Sequence, residues 1–415
     1  MTKNANQIVV IGAGIVGVST AIWLRRAGKD VILVDKGAVG MGTSYGNGGI
    51  LAACGVAPVT APGLGAKGPK LLLDPNFPLF LRWSYLPKLL PWLLKYLSHA
   101  NEPDTRRISK GLAGIVADSV EQHKSLVKGT SAEAWITDSD YCFAYKDQTA
   151  FAGDALTFEL RQQAGFVPEI IKGDAIHDYE PALGPDIGLL AVMKDHGYIR
   201  DPAGYVQALA QVFVAEGGEV RQAEVTDIDL SEGKISAIIT DQGRIDCAGA
   251  VLATGVWSKP LAQKLGLNVP LESERGYHVV FKDPSINLNA TYMIASGKFV
   301  ATPMDAGLRC AGIVEFGGLV AGPSKAPLAF LHKHVKLNFP TLDYSGVEEW
   351  HGHRPAPTDS LPLIGEIAGS GVFAGFGHHH IGLTGGPKTG RLIADLITQK
   401  GTNMDLSVYD PGRFA

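Results

Sequence analysis

The chain has 415 residues, which is too long for one ordinary hydrophobic core and predicts two domains. Hydrophobic residues make up 46% and charged residues 19%, a composition that excludes a disordered chain. Lys and Arg number 37 against 41 Asp and Glu, so no excess of positive charge indicates a nucleic-acid partner. The four cysteines lie far apart in sequence, which argues against a zinc site or a disulfide framework and favours a reducing compartment.

The N-terminal residues predict a strand, a helix and a second strand. QIVVIGAG is typical of a buried strand, IVGVSTAIWLRRAG of a helix that ends at Gly28, and KDVILVDKG of another buried strand. The first apolar run resembles a signal peptide superficially, but it contains three glycines and leads directly into the second strand, so we interpret it as part of the fold. The small residues from Gly37 to Gly68 predict a loop.

Residues from about Phe77 to Thr149 are predicted to be mostly helical. Within them, PLFLRWSYLPKLLPWLLKYLSHA, from Pro78 to Ala100, is long and apolar. Three basic residues, together with Pro87 and Pro91 inside this run, argue against a membrane-spanning helix. Two interpretations stay open: a pair of short helices packed on their own domain, which we favour, or a segment on a membrane surface through its Trp and Leu face.

The second half of the chain alternates helix and strand patterns. A helix is predicted in DPAGYVQALAQVFVAEGG, with Asp201 as N-cap and Pro202 at the first helical position. Three strand-like runs follow: EVRQAEVTDIDL, KISAIITDQ and RIDCAGAVLATG. Residues from about Leu271 to Gly318 predict further strands, and the last segment contains the strand-like GVFAGFG and the amphipathic helix TGRLIADLITQKG.

The first strand–helix–strand unit meets the dinucleotide fingerprint G-x-G-x-x-G in its full context. Gly12, Gly14 and Gly17 allow the backbone to approach a pyrophosphate, and the helix N-terminus offers free N–H groups. Asp35 ends the second strand at the position where an acid accepts hydrogen bonds from a ribose. The unit therefore predicts an adenine dinucleotide.

Two later stretches bear on whether the dinucleotide is FAD or NAD. The loop GMGTSYGNGGILA offers backbone amides and hydroxyls to a long extended ligand. The strand AGAVLATGVWS ends in Thr254 and Gly255, where glycine permits another close approach. Each stretch alone is equally consistent with an ordinary loop.

Six motifs, in their order and spacing, resemble the flavin-dependent amine oxidoreductases of the D-amino acid oxidase superfamily, and bacterial D-amino acid dehydrogenases most. They are VVIGAGIVG with VDK, GTSYGNGG, AEVTDI, VLATGVWS, HGHRPAPTDSLPLIG and GHHHIGLTGGPKTGRLIADLI. The resemblance is weakest from Asp74 to Thr149. It implies an α/β fold: a Rossmann-like FAD-binding domain of the glutathione-reductase type and an α+β substrate domain with a mixed sheet. The FAD-binding domain is predicted from residues 1-80, 150-180, 200-260 and 350-415, and the substrate domain from residues 81-149, 181-199 and 261-349.

The resemblance also implies a set of contacts to FAD. The helix that follows Thr384 would direct its positive end at the reduced flavin ring. These contacts are Gly12, Gly14 and Val16 on the pyrophosphate, Asp35, Lys36 and Val225 on the adenosine, Thr43, Ser44, Asn47, Gly49 and Ile50 along the linker, Thr254, Gly255 and Trp257 over the dinucleotide, and Gly382, Leu383 and Thr384 at the pyrimidine edge. The chain lacks the Cys and His positions at which some relatives attach their flavin, so we predict noncovalent FAD.

For the substrate, the resemblance implies that Arg354 pairs with a carboxylate, since a guanidinium is a planar two-point clamp. Tyr277 is a second candidate partner, whereas Phe299 stands where some relatives carry a tyrosine hydroxyl. The run His378-His379-His380 suggests a metal site, but adjacent side chains diverge, so we expect no metal. For His379 and His380, contact with substrate or flavin and structural packing both stay open.

Together these implications predict oxidative deamination of D-amino acids to 2-oxo acids, with hydride transfer from Cα to flavin N5 and electrons passed to a quinone or another carrier. One alternative is a secondary-amine or D-imino acid dehydrogenase or oxidase that acts on proline, hydroxyproline or sarcosine. Another is a flavin-binding subunit of a larger redox complex. The expected location is the cytoplasm, with peripheral contact at the inner face of the cell membrane left open.

Overall fold

The N-terminal unit folds as predicted in the computed structural model, which describes residues 6–65, 74 and 77–414. Strand β1 (Gln7–Ile11) pairs in parallel with β2 (Asp30–Asp35), and helix α1 (Ile15–Arg26) connects them. Gly28, at φ +81°, follows the helix and turns the chain into β2.

The other strands and helices are named in chain order. The strands are β3 (Ile50–Leu51), β4 (Leu79–Leu81), β5 (Ile136–Tyr145), β6 (Glu169–Lys172), β7 (Leu189–Ile199), β8 (Glu219–Gln222), β9 (Val225–Ser231), β10 (Lys234–Thr240), β11 (Gly243–Asp246), β12 (Gly249–Leu252), β13 (Leu271–Lys282), β14 (Thr291–Ile294), β15 (Phe299–Met304), β16 (Gly307–Phe316), β17 (Gly346–Pro357), β18 (Leu363–Glu366) and β19 (Val372–Phe376). The helices are α2 (Leu86–Ser98), α3 (Glu102–Val116), α4 (Ser119–Val127), α5 (Gln148–Ala152), α6 (Ala155–Gln163), α7 (Ala175–Tyr179), α8 (Pro202–Ala215), α9 (Ser258–Lys264), α10 (Lys325–Asn338) and α11 (Gly382–Ile397), with short 3-10 turns at Trp83–Tyr85, Ser131–Trp135, Gly255–Trp257, Ser407–Tyr409 and Pro411–Phe414.

One sheet has six strands in the order β18-β19-β12-β1-β2-β8, all parallel except β18. Its central strands are buried on both faces. Ile8 and Val10 pack with helices such as α1, α8 and α11, whereas Val9 and Ile11 pack toward the small sheet β11-β10-β9. The result is a layer of helices, a parallel sheet and a small antiparallel sheet, with the glycine turn at the carboxyl end of β1.

The second large sheet is mixed. Its main path runs β17-β13-β16-β15-β14-β5-β7-β3, with β4 beside β16 and β6 beside β7. The pairs β14–β5 and β4–β16 are parallel, and the remaining pairs are antiparallel. β13 and β17 pair over twelve residues, and this register sets Glu274 opposite Arg354. The domain boundaries given above remain a prediction.

Several element predictions differ from the structure in detail. The stretch from Phe77 to Thr149 is mostly helical, as predicted, but it also contains β4 and the ten-residue β5. β5 forms because it pairs with β14 and β7, although its first half is polar and does not have a clear strand pattern. The segment from Pro78 to Ala100 contains the short strand β4, a 3-10 turn and one α-helix, α2, rather than a pair of short helices. Pro87 lies in the first turn of α2 and Pro91 is accommodated inside it. The terminal helix begins at Gly382, earlier than its amphipathic pattern indicated.

Two of the strand-like runs each divide between sheets. EVRQAEVTDIDL forms β8 of the six-stranded sheet and β9 of the small sheet, and RIDCAGAVLATG forms β11 and β12 in the same way. The predicted loop from Gly37 contains the short β3, and its residues 66–68 lie outside the described residues. In the part of the chain that the structure describes, every helix is too short or too polar to cross a bilayer.

Candidate active site

A cavity of about 1360 Å³ joins the glycine turn after β1 to the start of α11. Pockets for drug-sized ligands have volumes of about 300–1,000 Å³, so this cavity has room for a dinucleotide and a small substrate together. Every residue that the resemblance assigned to FAD lines it, except Gly49. Arg354, His379 and His380 line it as well.

The β1 end of the cavity is built to accept a nucleotide. Gly12 has φ +106°, and a Cβ there would lie 2.5 Å from the carbonyl oxygen of Ala253, so only glycine fits the turn. The Asp35 carboxylate is fixed by the N–H groups of Ala13 and Gly37, at 2.7 and 2.8 Å. This places an acceptor for ribose hydroxyls beside the turn.

The start of α1 suits a pyrophosphate. Gly14 is the N-cap and supplies no side-chain oxygen, and no residue in the first turn of this helix is acidic. The Ile15 N–H donates to Ser44 Oγ at 3.1 Å, so a hydroxyl from the second motif lies at the helix N-terminus. Backbone donors, a positive helix end and a hydroxyl together match the chemistry of two phosphates.

The middle of the cavity is lined by the loop after β2 and by the residues after β12. Thr43 donates to the carbonyl oxygen of His353 at 2.9 Å, and the side chain of Asn47 accepts from the Gly49 N–H at 2.8 Å. Gly49 was expected to contact the cofactor, but among the described residues it does not line the cavity. Gly49 has φ +78°, and a Cβ there would lie 2.5 Å from Met304 Cε, so this glycine turns the chain against β15 instead.

The far end of the nucleotide path is the N-terminus of α11. Gly382, Leu383 and Thr384 line the cavity there, and the first turn of α11 contains no acidic residue, so its positive end is free to face an anionic ring. His123 bonds to the Leu383 carbonyl oxygen through Nε2 and to the Tyr205 hydroxyl through Nδ1, both at 2.9 Å. Burial lowers the pKa of His123 to about 4. His123 therefore holds this turn as a neutral imidazole, and nothing in its local sequence indicated the role.

Arg354 extends from β17 into the cavity. Its Nη1 donates to Glu274 Oε1 at 2.7 Å and to the Ile313 carbonyl oxygen at 3.1 Å, and its Nη2 donates to the Gly312 carbonyl oxygen at 2.9 Å. A Cβ on Gly276 would lie 2.3 Å from Nη2, so the guanidinium occupies the space that this glycine leaves open.

A bulge in β16 aims the two carbonyl oxygens at Arg354. Between the pairs Arg275–Glu315 and Tyr277–Gly312, β16 contains one extra residue. Ile313 lies in this bulge at φ +57°, a conformation that β-branched residues rarely adopt. Strain of this kind persists where the surrounding structure enforces it, here next to a binding group.

Glu274, which the sequence analysis missed, is the centre of the charged network. It is buried and lies 2.7 Å from His379 Nε2 and 2.8 Å from His380 Nε2, in addition to its bond with Arg354. Burial by itself would raise the pKa of Glu274, but His380 and His379 more than offset this effect and hold the pKa well below its usual range. Glu274 is therefore an anion that three donors share.

The two histidines converge, contrary to the expectation that adjacent side chains diverge. His379 has φ +49°, and this left-handed conformation brings its ring within 4.1 Å of the His380 ring. Desolvation lowers the pKa of His380 to about 4, although Glu274 acts in the opposite direction, and its side chain is 39% exposed toward the cavity. His378 instead bonds to Thr389 Oγ1 at 2.9 Å and packs α11.

The potential ligand atoms of Glu274, His379 and His380 lie within 4.8 Å of one another, close enough for a metal ion. The guanidinium of Arg354 contacts the same carboxylate and would repel a cation. The absence of a metal stays a prediction, and we interpret the cluster as a hydrogen-bonded network.

Tyr277 does not reach the cavity. Glu274 and Gly276 line it, whereas Tyr277, one residue further along β13, points to the other face and is not among the described residues that form the wall. Its hydroxyl donates to Glu315 at 2.5 Å and accepts from the Ser324 N–H at 3.1 Å. The expected role as a carboxylate partner is therefore corrected to a structural one.

Tyr96 of α2 is a tyrosine that the sequence analysis did not single out. Its ring lines the cavity and stacks on Trp92 at 4.6 Å, and the Trp92 indole donates to the Ala356 carbonyl oxygen of β17 at 3.0 Å. Burial and the nearby charge of Glu274 raise the pKa of Tyr96. Among the described residues its hydroxyl has no hydrogen-bond partner, so it is available to a ligand beside Arg354.

A Rossmann-like sheet, with a long cavity that runs from the glycine turn to the guanidinium of Arg354, is the architecture expected of a flavoprotein oxidoreductase. Comparison with known proteins gives the family. A model of the family described as FAD dependent oxidoreductase (DAO) matches residues 7–396, and the chain belongs to that family.

Curated relatives match the whole chain. A D-amino-acid oxidase of Bradyrhizobium diazoefficiens is 37% identical over 98% of this chain and 99% of its own. A D-amino acid dehydrogenase of Rhizobium johnstonii is 30% identical over 94% of this chain and 95% of its own. The resemblance inferred from the motifs is thereby confirmed, and so is FAD as the cofactor, because the family is one of FAD dependent oxidoreductases.

Solved structures share the fold. An L-proline dehydrogenase from P. horikoshii superposes with a TM-score of 0.74 at 20% identity, covering 99% of this chain and 97% of that one. A glycine oxidase from Geobacillus kaustophilus gives a TM-score of 0.73 at 20% identity, covering 98% and 99%. The α/β fold with a Rossmann-like FAD-binding part and a mixed sheet is confirmed.

Proposed function

We propose that this oxidoreductase oxidises the Cα–N bond of D-amino acids and passes the electrons to a quinone or another carrier rather than to oxygen. The observation that supports it most is the position of Arg354, a partly open cation at the end of the nucleotide path. FAD, when bound, supplies the acceptor for the hydride that leaves Cα. The resulting imine is hydrolysed by water to a 2-oxo acid and ammonia.

Arg354 has donors to spare for a substrate carboxylate. A guanidinium has five N–H donors, and the bonds to Glu274, Ile313 and Gly312 use three of them. The other two are free to form the paired bonds that fix a carboxylate and orient its Cα–H. Glu274 keeps the guanidinium in place and balances its charge before substrate binds.

Tyr96 and His380 complete the substrate contacts. His380 Nε2 lies 2.8 Å from Glu274 Oε1, which leaves its Nδ1 for the substrate's amino group. Tyr96 lines the cavity from α2, whereas Phe299 is fully buried in its own core and offers no hydroxyl there. We assign Tyr96 as a second hydrogen-bond partner of the substrate.

The D configuration is supported by the curated relatives, which are all named for D-amino acids. Two of them are named dehydrogenases, which supports a carrier, whereas the relative that is 37% identical is named an oxidase, so the acceptor has to be tested directly. The second candidate function is a D-imino acid or secondary-amine dehydrogenase. It is favoured by the apolar wall around Arg354, which suits a small ring: Leu93, Leu97, Val314 and Phe316. With a membrane quinone as acceptor, the protein would work at the inner face of the cell membrane.

Purified FAD-loaded protein tests the proposal. D-alanine, D-proline, cis-4-hydroxy-D-proline and sarcosine are compared by the rate at which they reduce a soluble dye, with peroxide measured in parallel. Dye reduction without peroxide is expected, and the order of the substrates separates the two candidates. Peroxide formed at the rate of turnover would instead show an oxidase.

Arg354→Ala tests the clamp, with Arg200→Ala as its matched control because Arg200 pairs with Asp305 on the surface. Loss of a charge-assisted carboxylate clamp is expected to raise KM about ten- to hundredfold. Tyr96→Phe is expected to raise KM less, by about fivefold for one neutral hydrogen bond. If Arg354→Ala and Arg200→Ala leave KM equally unchanged, Arg354 does not bind the substrate.

A further inference from the structure

Five exposed large apolar side chains lie on two neighbouring segments of the described surface. Trp83 is 58% exposed, Leu94 61% and Val320 100%, and Leu90 and Leu319 are exposed as well. We call these five residues the apolar face. Clusters of this kind on a folded protein mark contact with another surface.

The two segments lie side by side. β4 pairs in parallel with the end of β16, and the Arg82 N–H donates to the Phe316 carbonyl oxygen at 2.9 Å as both chains leave the sheet. A Cβ on Gly318 would lie 2.7 Å from the ring of Tyr85. The turn that carries Trp83 and the loop that carries Leu319 and Val320 therefore form one surface.

The loop is held rigidly from inside. The fully buried guanidinium of Arg275 bonds to Glu315 at 3.1 Å and to four carbonyl oxygens of the loop: Gly317, Gly318, Ala321 and Gly322. Burying an arginine is costly unless all its donors are paired, as they are here. This arrangement fixes the backbone of a loop whose two apolar side chains remain in water.

Helix α2 continues the face and also forms the cavity wall. Pro87, Leu90 and Leu94 follow one another at helical spacing on its exposed side. Leu93, Tyr96 and Leu97 line the cavity from its inner side. A ligand that arrives through the apolar face would thus be one helix away from the active site.

The charges around the apolar face indicate which kind of surface binds there. The segments Leu79–Ser98 and Gly317–Lys325 contain four basic residues and no acidic one, although the whole chain has a net charge of -4. The basic residues are Lys88, Lys95 and Lys325, which form the positive rim, and Arg82, whose guanidinium pairs with Glu315. A second copy bound through a two-fold axis would bring these like charges together. An anionic lipid surface matches both the apolar side chains and the positive rim.

We infer that the apolar face docks the protein on an anionic lipid bilayer, with Leu319, Val320, Leu90 and Leu94 entering the interface and the lysines contacting headgroups. The inference rests on the proposed function for its purpose, since a lipid-dissolved carrier would then meet the protein at the α2 wall. It concerns binding alone and adds no chemical step.

Flotation of FAD-loaded protein with vesicles tests it. Vesicles of phosphatidylcholine, with and without phosphatidylglycerol, are used at low and high salt. Wild-type protein is expected to float with the anionic vesicles and less with neutral ones. Val320→Glu and Leu94→Glu should each lower the partition coefficient about tenfold or more. Lys88→Glu should lower it about fivefold, only on anionic vesicles and only at low salt.

Val167→Glu is the matched control, because Val167 is 70% exposed and lies on a different segment, before β6. Equal flotation of Val320→Glu, Leu94→Glu and Val167→Glu would overturn the inference. So would a wild-type dimer that Val320→Glu converts to monomer, since the face would then join two copies. Dye-linked turnover of the wild-type protein is measured in the same samples. Protein that floats with vesicles but does not reduce the dye would refute the proposed function alone. Protein that reduces the dye but does not float would refute lipid docking alone.

Discussion

Replacing Glu274 by glutamine tests whether the cation of the active site is held by a shared anion. The side chain keeps its shape, but it loses its charge, and one of its two acceptor oxygens becomes a donor. In the wild-type protein, one oxygen accepts from Arg354 and His380 and the other from His379, all within 2.8 Å. In the variant, the new amide group faces a histidine N–H or the guanidinium, so one donor loses its partner.

The size of the effect follows from these three bonds. Hydrogen bonds to charged groups contribute about 1.5–3 kcal/mol and neutral ones about 1 kcal/mol, so weakening two bonds and losing one lowers the free energy of unfolding by about 3 kcal/mol. The bond lost at a buried group dominates this sum. For catalysis, a guanidinium free to turn lowers kcat/KM about tenfold or more, because the substrate carboxylate is no longer oriented.

Urea unfolding with excess FAD measures the first quantity and dye-linked kinetics the second. Asp305→Asn is the control, since Asp305 pairs with Arg200 and both side chains are 45% exposed. An exposed pair of this kind contributes less than about 1 kcal/mol. If Glu274→Gln lowers the free energy of unfolding no more than Asp305→Asn does, Glu274 does not hold Arg354 in place, and the proposed clamp is refuted.

Three further predictions concern the clamp, the flavin end and the nucleotide end. Gly276→Ala places a Cβ 2.3 Å from Arg354 Nη2, so we expect KM to rise about tenfold with bound-flavin absorbance unchanged; loss of flavin would contradict this. His123 has a folded pKa of about 4, below its ordinary 6.5, so its unfolded form binds the proton first and stability falls as pH drops from 6.5 to 4. When the pH is lowered from 7.5 to 5, the free energy of unfolding measured in urea should therefore fall by about 2 kcal/mol less in His123→Gln than in wild type. Equal decreases in the two proteins would contradict this prediction. Asp35→Asn should weaken FAD binding about tenfold in a fluorescence titration of apoprotein, whereas unchanged affinity would remove Asp35 from the ribose site.

The nucleotide end could be predicted because its signals are local. The strand, the turn at Gly12, the helix and Asp35 all occur within 29 consecutive residues, from Gln7 to Asp35, and each has its own pattern. The helix after Asp201 is similar, since its N-cap side chain accepts from the Ala203 N–H at 3.0 Å, as the sequence indicated. Short-range patterns of this kind depend little on the rest of the fold.

β5 and the divided strand runs show where local patterns fail. β5 is a strand because β14 and β7 lie on either side of it. The runs that became β8 with β9 and β11 with β12 have one continuous pattern each, yet their halves pair in different sheets. Hydrophobic periodicity indicates that a strand forms, but not which neighbour it pairs with.

The charged part of the active site was decided by tertiary structure. Arg354 could be assigned from its motif, but Glu274 lies 80 residues earlier in the chain, and Tyr96 comes from a helix whose local pattern suggested only packing or membrane contact. Their meeting depends on the register of β13 with β17, in which a slip of one residue would turn Glu274 away from the cavity and Tyr277 into it. The sequence by itself thus determined the cofactor and the class of chemistry, because both depend on short motifs. That Glu274 and Tyr96 belong to the same cavity as Arg354 was decided only by tertiary structure, because strand pairing and helix packing bring together side chains that no local pattern connects.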